Sequence, residues 1–218
     1  MNLLVFSDIH GNFEKVEKIG EELKKSDAII IAGDITHFDH KEKAEEIIKA
    51  FAVYNNKILA VSGNCDYPDV ENILVSNDWS IHRKIKNING YSFFGIGGSL
   101  PCPVKTPNEY SEDQFNSFIQ ELKNQLQTES HKILITHQPP LNTNVDKINA
   151  KNVGSLSIRK LIEEVQPLLV ISGHIHEAQG TDEIGNTKII NPGAFKDGNY
   201  VFIKLIDSQC ITLEFKKI

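Results

Sequence analysis

The sequence predicts a single α/β domain, with helices outside either two sheets or one large mixed sheet. The first half of the 218 residues alternates short apolar runs with stretches of helical periodicity, an order typical of parallel strands joined by helices. The tail instead contains short apolar runs separated by turn signals, which indicates an antiparallel part. No repeat, low-complexity tract or linker divides the chain, so we expect residues 1–218 to form one domain.

The first half reads as β-α-β-α-β. Short apolar runs that stop at polar clusters predict buried strands over 2–8, 28–34 and 57–64. Between them, apolar residues at helical intervals with charges in between predict helices over 12–26 and 40–54.

The second half continues with mixed signals. Residues 84–99 predict two strands joined at an Asn-Gly turn, and 112–127 predict a helix with Phe115 and Ile119 on its inner face. The remaining predictions are strands over 132–140, 168–174, 187–193, 199–207 and 210–215, with a helix over 155–167. Residues 139–154 are the least regular segment, at a length where a structureless loop is usually functional or mobile.

Composition narrows the class of protein. Hydrophobic residues make up 40% of the chain and charged residues 24%, and the net charge of -6 argues against a surface that coats nucleic acid. The three cysteines have no CxxC spacing, which predicts reduced thiols. The apolar run at the start of the sequence is too short for a secretory signal, and no apolar run approaches the length of a membrane-spanning helix. We therefore expect a cytoplasmic protein without membrane contact.

Polar residues able to bind metal ions follow five of the predicted strands. They are Asp8 and His10, Asp34, Asn64 with Cys65 and Asp66, His137, and His174 with His176. Ligands of open α/β sheets bind outside the carboxyl ends of the strands, where residues scattered in sequence meet. These side chains are therefore expected to share one pocket.

Each residue alone has an ordinary structural explanation. An Asp after a strand is most often a helix cap, Asn64 is ordinarily a turn residue, and Cys65 is by default a small buried hydrophobe. The joint pattern, in a fixed order and each time behind a strand, is what indicates a site.

The spacing of the pairs predicts how they reach that pocket. In extended backbone, residues two apart face the same side, about 6.6 Å apart along the strand. Asp8 with His10, and His174 with His176, could then reach ions about 3.5–4 Å apart. Imidazole, carboxylate and amide ligands suit manganese, iron or zinc, and thiolate-rich zinc is disfavoured because only one cysteine is expected nearby.

These motifs resemble those of the calcineurin-like metallophosphoesterases. The five ordered blocks D-x-H, G-D, G-N-[H/C], H and G-H-x-H stand here as SDIHG, AGDIT, SGNCD, THQPP and GHIHE. They span residues 7–177, and NPGAF near the end is a further similarity. The G-N-C form resembles a subgroup of small phosphodiesterases.

The resemblance implies two packed mixed sheets flanked by helices, an αββα sandwich, with two divalent cations at their edge. Manganese is the first expectation, with iron, zinc or nickel as alternatives. Asp8, His10 and His176 would hold one ion, Asn64, His137 and His174 the other, and Asp34 would bridge them. The implied reaction is attack of a metal-bridging hydroxide on phosphorus, with activity falling at acid pH as the imidazoles protonate.

One position departs from many members of that family. Where they have a histidine that protonates the leaving group, this sequence has Cys65, while the neighbouring acidic residue Asp66 is kept. Because a thiol is a weak proton donor, the hydrolysis rate should fall most for esters with poor leaving groups. His37, three residues beyond Asp34, could reach the pocket, but an exposed helix-entry position is favoured for it.

The leading hypothesis is therefore a metal-dependent phosphoesterase acting on small phosphodiesters or activated esters. A protein-binding scaffold on the same fold is the second hypothesis, disfavoured because all seven ligand positions are filled. A nuclease is the third, disfavoured by the acidic balance. The sequence leaves the physiological ester and homo-oligomerisation open.

Overall fold

The computed structural model of the chain describes residues 1–206 and 211–218. Its strands, in chain order, are β1 (Asn2–Phe6), β2 (Ala28–Ala32), β3 (Ile58–Val61), β4 (Ile85–Ile88), β5 (Tyr91–Ile96), β6 (Lys132–Thr136), β7 (Lys147–Ile148), β8 (Lys151–Asn152), β9 (Leu169–Ile171), β10 (Gly180–Ile184), β11 (Thr187–Asn191), β12 (Asn199–Leu205) and β13 (Ile211–Lys217). Its α-helices are α1 (Gly20–Lys25), α2 (Lys41–Ala52), α3 (Pro68–Ser76), α4 (Glu112–Leu126) and α5 (Leu156–Val165). Cys210, for which the sequence predicts a reduced thiol, lies outside the described residues.

Two large mixed sheets form the centre of the fold. The first has the order β13-β12-β1-β2-β3, with β1, β2 and β3 parallel and β12 and β13 antiparallel to their neighbours. The second has the order β10-β11-β9-β6-β5-β4, parallel from β11 to β5 and antiparallel at both edges. The sequence left open whether the strands form two sheets or one large mixed sheet. The described residues form two large sheets, and β7 and β8 pair separately.

Three apolar layers hold the sheets and helices together. Alternate residues of β1 face opposite sides, so Leu3 and Val5 pack between the two sheets, whereas Leu4 and Phe6 pack under α2 and α3. The second sheet is covered on its outer face by α4 and α5, through residues such as Phe115. This helix-sheet-sheet-helix layering confirms the predicted αββα sandwich.

One local prediction is confirmed, and two helix caps are also seen. The Asn-Gly turn between β4 and β5 is present, with positive φ at both Asn89 and Gly90 as a type I′ turn requires. Ser111 and Ser155 cap α4 and α5 by accepting hydrogen bonds from backbone N–H groups.

Other predictions need correction. The helix predicted over 12–26 is a 3₁₀ helix over Glu14–Ile19 followed by the short α1, because segments of this length follow tertiary packing rather than propensity. The segment 139–154 is not structureless: it contains a 3₁₀ turn over Asn144–Asp146 and the β7-β8 hairpin, held by the Asp146 carboxylate. Helix α3 and strand β10 were not predicted.

Across the described ranges, every helix is too short or too polar to cross a lipid bilayer.

Candidate metal centre

The loops that follow β1, β2, β3, β6 and β9 meet at one edge of the two sheets. The β1 loop is joined to the β2 loop by backbone hydrogen bonds, from Asp8 N to the Gly33 carbonyl (3.0 Å) and from His10 N to the Asp34 carbonyl (2.9 Å). The β9 loop is joined to the β6 loop by Gly173 N, which donates to the His137 carbonyl (3.1 Å). Residues far apart in sequence therefore share one rim.

The backbone at these loops is left-handed rather than extended. Asp8, His10, Asp34 and His174 have φ values of 55°, 47°, 50° and 71°. Such angles are uncommon for residues other than glycine, and they concentrate at functional sites. The prediction that the paired residues reach the pocket from extended backbone is wrong: β1 ends at Phe6, and tight turns direct the side chains inwards.

Asp34 lies at the middle of the cluster. Its Oδ2 is 3.5 Å from His10 Nε2, and its Oδ1 is 3.4 Å from His137 Nε2. The two carboxylate oxygens thus face two different groups of side chains.

Asp8, His10 and His176 form the first group. His176 Nε2 lies 3.1 Å from Asp8 Oδ1 and 3.2 Å from His10 Nε2. Asp8 is itself fixed by Ser7 Oγ, which donates to Asp8 Oδ2 (2.6 Å). Gly173 is required here, since a Cβ on it would come within 1.8 Å of Ser7 Oγ.

Asn64, His137 and His174 form the second, looser group. His137 Nε2 is 2.9 Å from Asn64 Oδ1, while its Nδ1 donates to the carbonyl oxygen of Ala32 (2.8 Å). A histidine held in this way by a backbone carbonyl presents its other nitrogen in a fixed direction, as metal-binding histidines do. The His174 ring lies beside His137, with ring centroids 5.0 Å apart.

Charge in the cluster is balanced by imidazoles. Burial alone would raise the pKa of Asp34, but His137 beside it holds that pKa below its usual range. Burial alone would lower the pKa of His137, but the Asp34 carboxylate outweighs it and raises this pKa to about 9. Burial, with the nearby His137, lowers the pKa of His174 to about 4.

The donor set fits divalent cations. Asp8 and Asp34 are buried carboxylates, and within the described ranges their only ion-pair partners are histidines. Two buried carboxylates without Lys or Arg are costly unless protons or metal ions neutralise them. Three close trios have ligand atoms within 4.8 Å of one another: Asp8-His10-His176, Asp8-Asp34-His137 and His10-Asp34-Cys65.

Cys65 points into the cluster. Its sulfur lies within 4.8 Å of ligand atoms of His10 and Asp34, and its N–H donates to Asp34 Oδ1 (2.8 Å). Burial raises the pKa of the Cys65 thiol, and the Asp34 carboxylate raises it further. When no cation is bound, the Cys65 side chain is therefore a neutral thiol.

The acidic neighbour Asp66 ties two loops together rather than facing solvent. Its carboxylate accepts hydrogen bonds from the N–H groups of Ile35, Thr36 and Gly63 at 3.1, 2.7 and 2.8 Å. It therefore fixes the β2 loop, which carries Asp34, against the β3 loop, which carries Asn64.

His37 is exposed, as the sequence favours, and it also touches the cluster. Its Nδ1 lies 3.3 Å from His10 Nδ1, and the two rings meet edge to face.

The loop over residues 99–109 also borders the cluster, and it was not predicted. Asn108 in this loop donates from Nδ2 to the Gly63 carbonyl (2.9 Å) and from its backbone N–H to the Asn64 carbonyl (3.1 Å). Cys102 Sγ in the same loop lies 3.8 Å from His174 Nε2. The proline-rich sequence gives no strand or helix signal, so only the three-dimensional contacts reveal its position.

Comparison with known proteins supports the interpretation of these motifs. The model of the calcineurin-like phosphoesterase superfamily domain matches residues 1–202. An uncharacterised protein of Methanocaldococcus jannaschii is 38% identical over 201 residues, which cover 88% of each chain.

Two solved structures share the fold. The protein TT1561 of Thermus thermophilus superimposes with a TM-score of 0.76 at 19% identity, over 99% of this chain and 98% of that one. A dimetal phosphatase from Danio rerio superimposes with a TM-score of 0.68 at 11% identity, over 100% of this chain and 96% of that one.

Proposed function

The chain belongs to the calcineurin-like phosphoesterase superfamily, and we propose that it hydrolyses phosphodiesters or activated phosphoesters at a centre of two divalent cations. Asp8, His10 and His176 would hold one cation. Asp34 would be shared, and the other cation would be held by Asn64, His137 and His174. Family membership supports the coarser function, a metal-dependent phosphoesterase, on its own.

The position of Asp34 carries the proposal. Its two oxygens face His10 and His137 at 3.5 and 3.4 Å, so one carboxylate can contribute to both groups of ligands. When bound, the two cations would lower the pKa of a water molecule, polarise the phosphoryl oxygens and offset transition-state charge.

Hydrogen bonds within the chain fix the orientation of the proposed ligands. The Ala32 carbonyl fixes the His137 ring through Nδ1, and the Ser7 hydroxyl fixes Asp8. Such supporting hydrogen bonds keep ligands in place without rearrangement during turnover.

The preference for activated esters or diesters rests on Cys65. It occupies the position of the proton-donating histidine, and its thiol is a weak donor with a raised pKa. Esters whose leaving group departs without a proton should therefore be hydrolysed faster than esters with a simple alkoxide leaving group.

The test is hydrolysis of bis-p-nitrophenyl phosphate by the purified protein with added manganese, followed by iron, zinc and nickel. Asp34→Ala and Asn64→Ala should each abolish turnover. Asp113→Ala, an exposed carboxylate on α4, is the matched control and should retain it. Unchanged turnover in Asp34→Ala would remove the site assignment.

Two other outcomes would redirect the assignment. A protein that retains little metal after purification without chelator and hydrolyses none of the mono- and diesters tested would favour a scaffold. Cleavage of single-stranded or duplex DNA with manganese would favour a nuclease.

A further inference from the structure

Hydrogen bonds attach the 99–109 loop to two loops of the candidate metal centre. Asn108 joins it to Gly63 and Asn64, as described above, and Leu100 N donates to the Gln138 side-chain oxygen (3.0 Å), next to His137. Because it is attached to the β3 and β6 loops, the 99–109 loop cannot shift without disturbing the residues that carry the site.

The interior of the loop is fixed by one carboxylate. Glu109 Oε1 accepts hydrogen bonds from Cys102 N (3.2 Å), Thr106 N (2.8 Å) and Thr106 Oγ1 (2.6 Å). These contacts close the loop and determine where Cys102 lies.

The position of the Cys102 sulfur is suited to metal binding. It is 3.8 Å from His174 Nε2 and partly exposed. A tetrahedral cation with a sulfur ligand at about 2.3 Å and a nitrogen ligand at about 2.05 Å separates those two atoms by about 3.6 Å. The pair therefore needs only a small adjustment to hold one ion between them.

We propose that Cys102 is a further metal ligand, paired with His174, and that it gives this position a preference for thiophilic cations such as zinc. The inference rests on the proposed function for the presence of cations. Binding would form a sulfur–metal bond, and the thiol proton would pass to solvent. The expectation of only one cysteine near the site then no longer holds, because Cys65 and Cys102 both border it.

The experiment is a Co²⁺ titration of chelator-treated protein, read by absorption. Thiolate coordination gives a sulfur-to-cobalt charge-transfer band in the near ultraviolet, whereas nitrogen and oxygen ligands give only the weaker visible d–d bands. Three proteins are compared: the wild type, Cys102→Ser, and the double variant Cys65→Ser/Cys210→Ser, which keeps Cys102 as its one cysteine. Circular dichroism checks that each is folded.

The expected result is a charge-transfer band in the wild type and the double variant, lost in Cys102→Ser while the d–d bands remain. Cd²⁺ affinity should fall about tenfold or more in Cys102→Ser, with Mn²⁺ affinity little changed. A band that persists in Cys102→Ser, or that disappears in the double variant, would overturn the assignment of Cys102 and leave the metal centre standing. Absence of all cobalt bands would overturn both.

Discussion

Gly33 and His137 are in direct contact, so close that a Cβ on Gly33 would lie 2.3 Å from His137 Nδ1. Gly33 also has φ of +90°, in the region that favours glycine. The His137 ring therefore lies against bare backbone, with Nδ1 bonded to the Ala32 carbonyl and Nε2 directed at Asp34 and Asn64. The glycine of the second motif thus sets the orientation of a histidine that is 104 positions away in sequence.

Gly33→Ala should damage both stability and metal binding. Left-handed strain and overpacking together should lower the free energy of unfolding by about 2–5 kcal/mol. Displacement of the His137 ring should also weaken binding of Mn²⁺. Urea unfolding measures the first effect and calorimetric titration with Mn²⁺ the second.

Gly90→Ala is the matched control. Gly90 has a similar φ of +82° in the β4-β5 turn, and an added Cβ would meet nothing within 4 Å. Backbone strain alone should therefore lower the free energy of unfolding, by about 1–2 kcal/mol, and Mn²⁺ binding should be unchanged. Equal losses in the two variants would mean that contact with His137 has no energetic role.

Much of the fold could be predicted from sequence because its central strands are buried on both faces. Runs such as 28–34 have no polar interruption, and their polar ends mark the sheet edge where ligands meet. The chemistry of the candidate site could be expected for the same reason: its residues follow five such runs.

The geometry could not be predicted, because it depends on contacts between loops. Sequence spacing suggested extended pairs, whereas Asp8 and His10 occupy left-handed turns fixed by hydrogen bonds to the β2 loop. Cys102 likewise has no local signal, since its place beside His174 comes from the Glu109 and Asn108 hydrogen bonds.

Glu109→Ala should release the 99–109 loop. Loss of the carboxylate leaves Cys102 N and Thr106 without their acceptor, so the thiol should react faster with iodoacetamide. The modification rate at Cys102 is followed by mass spectrometry of digested protein. Glu121→Ala, on the exposed side of α4 and away from the loop, should leave the rate unchanged; the same rate in Glu109→Ala as in the wild type would show that the loop does not need the carboxylate.

Removal of metal should lower stability, because Asp8 and Asp34 would then be balanced by imidazoles alone. Free Mn²⁺ at 100 times its dissociation constant should raise the free energy of unfolding by about 2.7 kcal/mol over the chelated protein. Urea unfolding with Mn²⁺ and with EDTA measures the difference. Asp34→Ala should show no such gain and Asp113→Ala the full gain; a gain in Asp34→Ala would place the bound ion elsewhere.

Glu71 on α3 should make the stability of the fold depend on pH. Ser80 Oγ donates to its Oε1 (2.5 Å), but its other oxygen, Oε2, is buried and accepts no hydrogen bond from the described part of the chain. Burial is the main cause that raises the pKa of Glu71 to about 7, above the usual 4.5, and the Ser80 hydrogen bond only partly opposes it.

The sign follows from the direction of that shift. A carboxyl group with a raised pKa in the folded state stabilises the fold while it is protonated, fully below its unfolded pKa, and this stabilisation is lost as the pH rises through the folded pKa. Between about pH 5 and pH 8 the wild type should therefore lose stability relative to Glu71→Gln, which cannot ionise, by up to about 3 kcal/mol. Urea unfolding of both proteins across this range measures the loss. Ser80→Ala removes the hydrogen bond that favours the carboxylate, so its loss should be larger. A constant difference between wild type and Glu71→Gln at every pH would show that water reaches Glu71 in solution and keeps its pKa ordinary.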